Sequence, residues 1–156
     1  MKRVGVKIAA LLALVSLTAG CSVIGDMLDQ PGIVLPPDSD IPPDIMAALE
    51  ENLRAADAED LPAYMATIHE DSDLYGSTES LMENLFELYD LDYEVETVEL
   101  VSLSGGEAKL RVTQVTRKVS GPAFRDNRVT VLHALRKSGG QWKFYNTVVL
   151  KIEYLD

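Results

Sequence analysis

Three polar side chains interrupt otherwise apolar strand faces late in the chain: Gln114, His133 and Asn146. An imidazole titrating near neutrality can take or give a proton, and carboxamides beside it can orient a carbonyl or hydroxyl, so the trio could line a small-molecule pocket. Trp142, Phe144 and Tyr89 would supply apolar walls for it. The competing role is structural, because buried polar groups commonly satisfy one another or hold a water. Trp142 has the same two roles open to it, stacking on a flat ligand or filling the core.

Other clusters carry less chemistry. His69-Glu70-Asp71 could do acid/base work, yet position 73 is Asp, so the HExxH zinc pattern is absent, and charges at a helix end are normally solvated. Asp71, Asp73 and Gly76 start like a calcium loop, but Tyr75 and Met82 stand where the fifth and twelfth ligands belong. Phe124-Arg125-Asp126-Asn127 could form a recognition loop or a solvated strand entrance. With no Gly-rich phosphate loop, nucleophile elbow or Cys/His cluster in the sequence, no cofactor and no metal are expected.

Two kinds of periodicity position these residues. Ile45, Ala48, Leu49, Leu53 and Ala56 fall on one helix face, with Asp44 or Asp40 as the cap. A shorter helix follows Asp60, with Pro62 in its first turn and Leu61, Tyr64, Met65 and Ile68 as its stripe. A third is expected after Gly76-Ser77-Thr78, placing Leu81, Leu85, Leu88 and Tyr89 on one side. From Tyr93 onward the period becomes two. Tyr93 to Leu103 is a first strand, Gly105-Gly106 a turn, and Ala108, Leu110, Val112 and Gln114 share a face of the second. After Ser120-Gly121-Pro122, Val129, Val131, His133 and Leu135 share a face of the third. Ser138-Gly139-Gly140 then leads to a fourth, in which Trp142, Phe144, Asn146, Val148, Leu150 and Ile152 oppose Lys143, Tyr145, Thr147 and Lys151. Helices first and an antiparallel meander after is the α+β order.

Residues 45–156 make one ordinary domain with one core. Their arrangement resembles the nuclear transport factor 2-like, or SnoaL-like, superfamily. The likeness rests on Ala55-Ala56-Asp57-Ala58-Glu59-Asp60-Leu61-Pro62-Ala63-Tyr64 and on Gly139-Gly140-Gln141-Trp142-Lys143-Phe144. It implies a cone of N-terminal helices packed on a strongly curved antiparallel sheet, and it allows pairing of two copies through the open sheet face. Because that fold hosts isomerases, dehydratases and adaptors, it assigns no reaction. None of the catalytic motifs aligns residue by residue, so no catalytic role is carried over.

The N-terminus speaks to location. Lys2, Arg3 and Lys7 precede an uncharged apolar stretch, Ile8 to Ala19, which is shorter than the roughly 20 residues a membrane span needs. Leu17-Thr18-Ala19-Gly20-Cys21 resembles the lipobox of bacterial lipoproteins, although Thr18 stands where leucine is usual. The resemblance implies cleavage after residue 20 and lipidation of Cys21, the only cysteine. Two or three acyl chains at about 0.8 kcal/mol per buried methylene hold a protein at a membrane durably. Ser22, rather than aspartate, after the cysteine implies the outer membrane in two-membraned bacteria, and the outer face of the plasma membrane otherwise. Residues 21–44 hold five of the seven prolines and are expected to form a semi-rigid tether; the alternative, for which Ile33, Val34 and Leu35 speak, is a segment packed across the domain.

Without residues 1–20 the chain carries 11 basic against 25 acidic residues, a net −14, which opposes nucleic-acid binding. The expected partners are therefore a membrane, through lipid on Cys21, and an envelope protein or small ligand. Two functions remain in view: a lipid-anchored, non-enzymatic binding domain, and a cone-pocket isomerase, dehydratase or hydrolase with His133 as acid/base and Gln114 and Asn146 orienting the substrate.

Overall fold

The structure is a computed structural model that describes residues 41–155. The expected export leader, Cys21 and most of the expected proline-rich tether lie outside the described residues. Three helices, α1 (Pro43–Asp57), α2 (Leu61–Ala66) and α3 (Tyr75–Leu88), precede four strands, β1 (Asp90–Ser104), β2 (Glu107–Ser120), β3 (Asn127–Ser138) and β4 (Gln141–Tyr154). The strands form one antiparallel sheet in the order β1-β2-β3-β4, so the α+β architecture anticipated from the sequence is the one observed.

The helix starts follow local chemistry. α1 begins with Pro43 in its first turn, where a missing N–H costs nothing, behind an extended Pro42. Of the two caps expected, Asp40 lies outside the described residues and Asp44 does not cap it; Asp44 sits inside the first turn, and its carboxylate is taken by Trp142 instead. α2 is capped as expected, with Asp60 Oδ1 accepting from the Ala63 N–H at 3.0 Å. α3 starts at Tyr75, earlier than the Gly76-Ser77-Thr78 signal, and buries Thr78, Met82 and Leu85. Leu88, expected on the buried side, is exposed at the last turn.

The sheet's inner face meets the helices. Ala108, Leu110 and Val112 of β2, Val129, Val131 and Leu135 of β3, and Phe144 of β4 pack with Ile45, Leu49, Met82 and Leu85 in one core. On the outer face Val115, Leu132 and Ala134 are buried apart from that core. They are surrounded by the paired charges Arg111–Glu99, Arg117–Glu94 and Arg128–Glu96. Four register shifts bend the sheet along the two outer strands: β1 shifts at Val95/Thr97 and Leu100/Ser102, and β4 at Asn146/Phe144 and Lys151/Val149. Extra residues of this kind increase local twist and curl a sheet toward its covered face. Gly139 and Gly140, both at positive φ, make the two-residue turn that joins β3 to β4.

Residues Thr67 to His69 leave α2 and run beside the outer edge of β4. The Phe144 N–H donates to the Thr67 carbonyl at 2.9 Å, and the His69 N–H donates to the Phe144 carbonyl at 2.8 Å. The first half of the edge strand is thereby covered and α2 is locked onto the sheet.

Candidate functional site

The bulge at Tyr145 decides what becomes of the polar trio. Leu135 pairs with Phe144 but Ala134 pairs with Asn146, so Tyr145 is the extra residue and the faces of β4 exchange there. Trp142 and Phe144 face the core. Beyond the bulge Thr147 and Val149 take the inner positions, opposite His133 and Val131, and Asn146 turns to the outer face with Leu132 and Val148. The strict alternation expected for β4 therefore fails after Phe144, and Asn146 does not share a surface with His133. Its Oδ1 accepts from the Thr147 N–H at 2.8 Å.

Gln114 and His133 do lie on one inner face, both buried, but apart. His133 pairs with Leu110, four residues from Gln114 along β2, which is about 13 Å at strand rise. What surrounds His133 is Phe144, edge-on at 5.0 Å between ring centroids, and Thr147, whose Oγ1 is 2.8 Å from Nδ1. Burial depresses the imidazole pKa from 6.5 to about 4, so the ring is neutral throughout the physiological range. An acid/base catalyst requires access and a pKa near the working pH, and His133 has neither. Tyr89 is remote from this point in role: it ends α3 and packs edge-on against Phe124 of the loop between β2 and β3. In that loop Asp126 accepts from the Lys118 N–H and Arg125 lies over the Tyr154 ring, a self-contained strand entrance.

The His69-Glu70-Asp71 run divides. His69 is buried, with Nδ1 accepting from the Asp71 N–H at 3.1 Å and its ring edge-on to Tyr145. Glu70 is exposed and receives hydrogen bonds from Ser138 and, at 3.2 Å, from Lys143. The Ser138 hydroxyl chiefly, then the local backbone and Lys143, hold its carboxyl at about 2.

An open cleft of about 500 Å³ lies elsewhere, between α1, α2 and the start of β4. One side is the stripe Asp44, Ala47, Ala48 and Glu51 of α1, and the other is Ala63, Ala66 and Thr67; Gly140, Gln141, Trp142 and Lys143 close the end. Trp142 is fixed here because its Nε1 donates to Asp44 Oδ2 at 2.8 Å, while Lys137 approaches the same carboxylate and the indole ring. The indole hydrogen bond first, with Lys137 after it, holds the Asp44 carboxyl below its usual pKa. Behind the cleft, Asn52 donates to Thr67 Oγ1 at 2.7 Å, and Thr67 donates in turn to the Tyr64 carbonyl. This buried network ties α1 to α2, and burial pushes the Tyr64 hydroxyl up to about 12. Of the six residues the sequence nominates for a pocket, only Trp142 borders the cleft. The alanines gave no polar signal, though the i, i+3, i+4 spacing of Asp44, Ala47 and Ala48 and of Ala63, Ala66 and Thr67 was readable. His133 borders neither this cleft nor the small recess around Asn146.

These features define a class: a helix-covered, curved antiparallel sheet of the nuclear transport factor 2-like kind. The chain is similar to a conserved protein from Planctomyces limnophilus, with TM-score 0.60, 14% identity, and 72% of this chain and 95% of that one covered. It is also similar to an NTF2-like protein of unknown function from Pseudomonas putida, with TM-score 0.54, 14% identity, and 67% and 81% covered. A ketosteroid isomerase-like protein from Erwinia carotovora gives TM-score 0.50, 24% identity, and 69% and 94% covered. At such identities the likeness is one of fold.

Sequence places it more narrowly. Residues 47–155 match the family model described as anti-sigma-I factor RsgI9, C-terminal domain, and the chain belongs to that family. A curated relative, anti-sigma-I factor RsgI9 of Acetivibrio thermocellus, is 34% identical over 104 residues. The match takes in 66% of this chain but spans only 14% of that relative's length. Among the described residues no helix is long and apolar enough to cross a membrane.

Proposed function

We propose that this chain is an exported protein held at a membrane by lipid on Cys21, whose domain binds a protein or small ligand in the envelope as the recognition part of a regulatory system. Support for a binding role comes from one contrast above all: the only inward-facing histidine on the sheet is sealed and neutral, while an open cleft lies among small residues between α1, α2 and the start of β4. The family membership agrees with regulation, since the curated relative is an anti-sigma-I factor. An exported domain would meet its partner in the envelope. The export signal and lipobox resemblance supply that location.

Cys21→Ser tests the location. Fractionation of cells making the full chain should find the unaltered protein with membranes, its processed form heavier than the bare polypeptide by the acyl groups. The variant should lose that mass and leave the membrane fraction. A variant that stays with the membrane at an unchanged N-terminal mass would refute the anchor. The binding role is tested separately with His133→Ala: any turnover by the protein that this substitution abolishes, with folding intact, would restore the enzyme reading.

A further inference from the structure

Beyond Tyr145 no described residue covers the outer edge of β4. The Phe144 N–H and carbonyl face away from β3, since Thr67 and His69 take them, and in an antiparallel ladder that direction recurs at alternate residues. Asn146 pairs with Ala134, and Leu150 is the extra residue of the second bulge, so the residues that next turn their backbone outward are Thr147, Val149, Ile152 and Tyr154. The Thr147 N–H is closed off by the Asn146 side chain. No described residue pairs with the N–H and carbonyl groups of Val149, Ile152 and Tyr154. Their side chains stand on the inner face, where Ile152 is 37% and Tyr154 53% exposed. We propose that this half of the edge takes an extended segment of a partner protein as an added strand, with apolar side chains at alternate positions to cover Ile152 and Tyr154.

The chemistry of the edge selects that occupant. An extended backbone offers donors and acceptors at the spacing of a strand, which neither a helix nor a small ligand does. The same edge already accepts one short segment of this chain: Ile68 bridges Phe144 in parallel, and the Ser72 hydroxyl then donates to the Tyr145 carbonyl, where that cover ends. An incoming strand continues this line. Charge does not guard it, because Lys151 and Glu153 pair with each other at 3.0 Å. The opposite edge, β1, carries Glu94, Glu96 and Glu99 along its length, and charges of this kind keep an edge strand from pairing. A second copy would bring a formal net charge of −11 to a chain of the same charge, which favours a strand from a different, less acidic chain. This surface is separate from the cleft, so the inference goes beyond the proposed function and holds whether or not the cleft is filled or Cys21 carries lipid.

The probe is an acetylated, amidated peptide of alternating valine and lysine, about eight residues long, added to the full chain in detergent while amide exchange is followed by NMR. Without peptide the Ile152 and Tyr154 amides should exchange quickly. Saturating peptide should slow both by about tenfold or more and leave the amides of β1 unchanged. N-methylation of one alternate set of peptide residues should abolish the slowing and that of the other set should spare it, because only one set turns its N–H toward β4. Equal effects of the two methylated peptides would reduce the binding to charge attraction and overturn the proposal, as would an unmodified peptide that slows neither amide. Exchange already slow without peptide would overturn it too: at every protein concentration it would make this chain its own cover, and rising with concentration it would make the occupant a second copy.

Discussion

At the scale of single residues, the burial of His133 governs how the protein responds to acid. A histidine whose folded pKa lies near 4, against 6.5 when unfolded, binds its proton more readily in the unfolded chain. Above pH 6.5 neither state is protonated and the group does not alter stability. As pH falls from 6.5 toward 4 the unfolded state gains protons first, and stability drops by as much as roughly 3 kcal/mol. Thermal unfolding followed across that window should show the loss, and His133→Leu, which removes the titrating group, should flatten this part of the profile. An equally steep profile in the variant would assign the acid sensitivity elsewhere. Gly121 is the second sensitive residue. It has φ +113°, and a Cβ there would stand 2.5 Å from the Leu88 carbonyl oxygen. Both backbone strain and a clash with the end of α3 follow, so Gly121→Ala should cost about 2 kcal/mol or more in urea unfolding. A loss under 0.5 kcal/mol would mean that the turn between β2 and β3 can move away from the helix.

At the scale of elements, caps and bulges decide where side chains go. Asp60 is the side-chain cap of α2, the helix that supplies one wall of the cleft, and Asp60→Ala should cost about 1 kcal/mol. For a domain near 100 residues this lowers the melting temperature by roughly 4–8 °C, while Asp60→Asn should retain most of the stability. The cap was legible because Asp60-Leu61-Pro62 combines an oxygen acceptor with a proline in the first turn. The β2 face was legible for a similar reason, since Ala108 to Gln114 alternate without a break, and in β3 Val129, Val131, His133 and Leu135 keep one face although Leu132 and Ala134 are apolar on the other. In β4 the alternation expected from Trp142 was carried through Tyr145 and put Asn146 on the wrong face. Val148-Val149-Leu150 signals only the later shift, between Val149 and Lys151, because three consecutive apolar residues cannot all follow one pleat, and Tyr145 carries no such mark. Nothing local says at which peptide the extra residue sits. That is set by Thr67 and His69, which clamp the Phe144 peptide from the next element, and by Ser72, which bonds the Tyr145 carbonyl. The face of α3 was legible in part: the spacing favoured Leu81, Leu85, Leu88 and Tyr89, and packing buries Leu85 but sets Thr78 and Met82 beside it and leaves Leu88 exposed.

At the scale of the whole molecule, the outer sheet face is where a second copy would pair, as the fold resemblance allows. Val148 lies half-exposed there beside Leu132 and Ala134, within a frame of arginine–glutamate pairs already satisfied within the chain. Under this proposal, sedimentation of the protein without residues 1–20 should give a dimer mass that Val148→Glu halves, with an unaltered unfolding transition. A monomer at high concentration would remove the pairing. The large acidic excess works against association, so added salt should strengthen the dimer by screening.

By itself the sequence determined the order of helices and strands, the turns, the inner faces of β2 and β3 and the acidic balance, because each depends on residues within one or two turns of one another. The resemblance of residues 1–21 to an export signal and lipobox is a local reading of the same kind, and what it implies is part of the proposal. Only the tertiary structure decided that Gln114, His133 and Asn146 form no common site, and that an alanine-lined cleft lies beside Trp142. Burial, register and the meeting of α1, α2 and β4 depend on residues about 100 positions apart, such as Asp44 and Trp142, and no spacing along one segment encodes their contact.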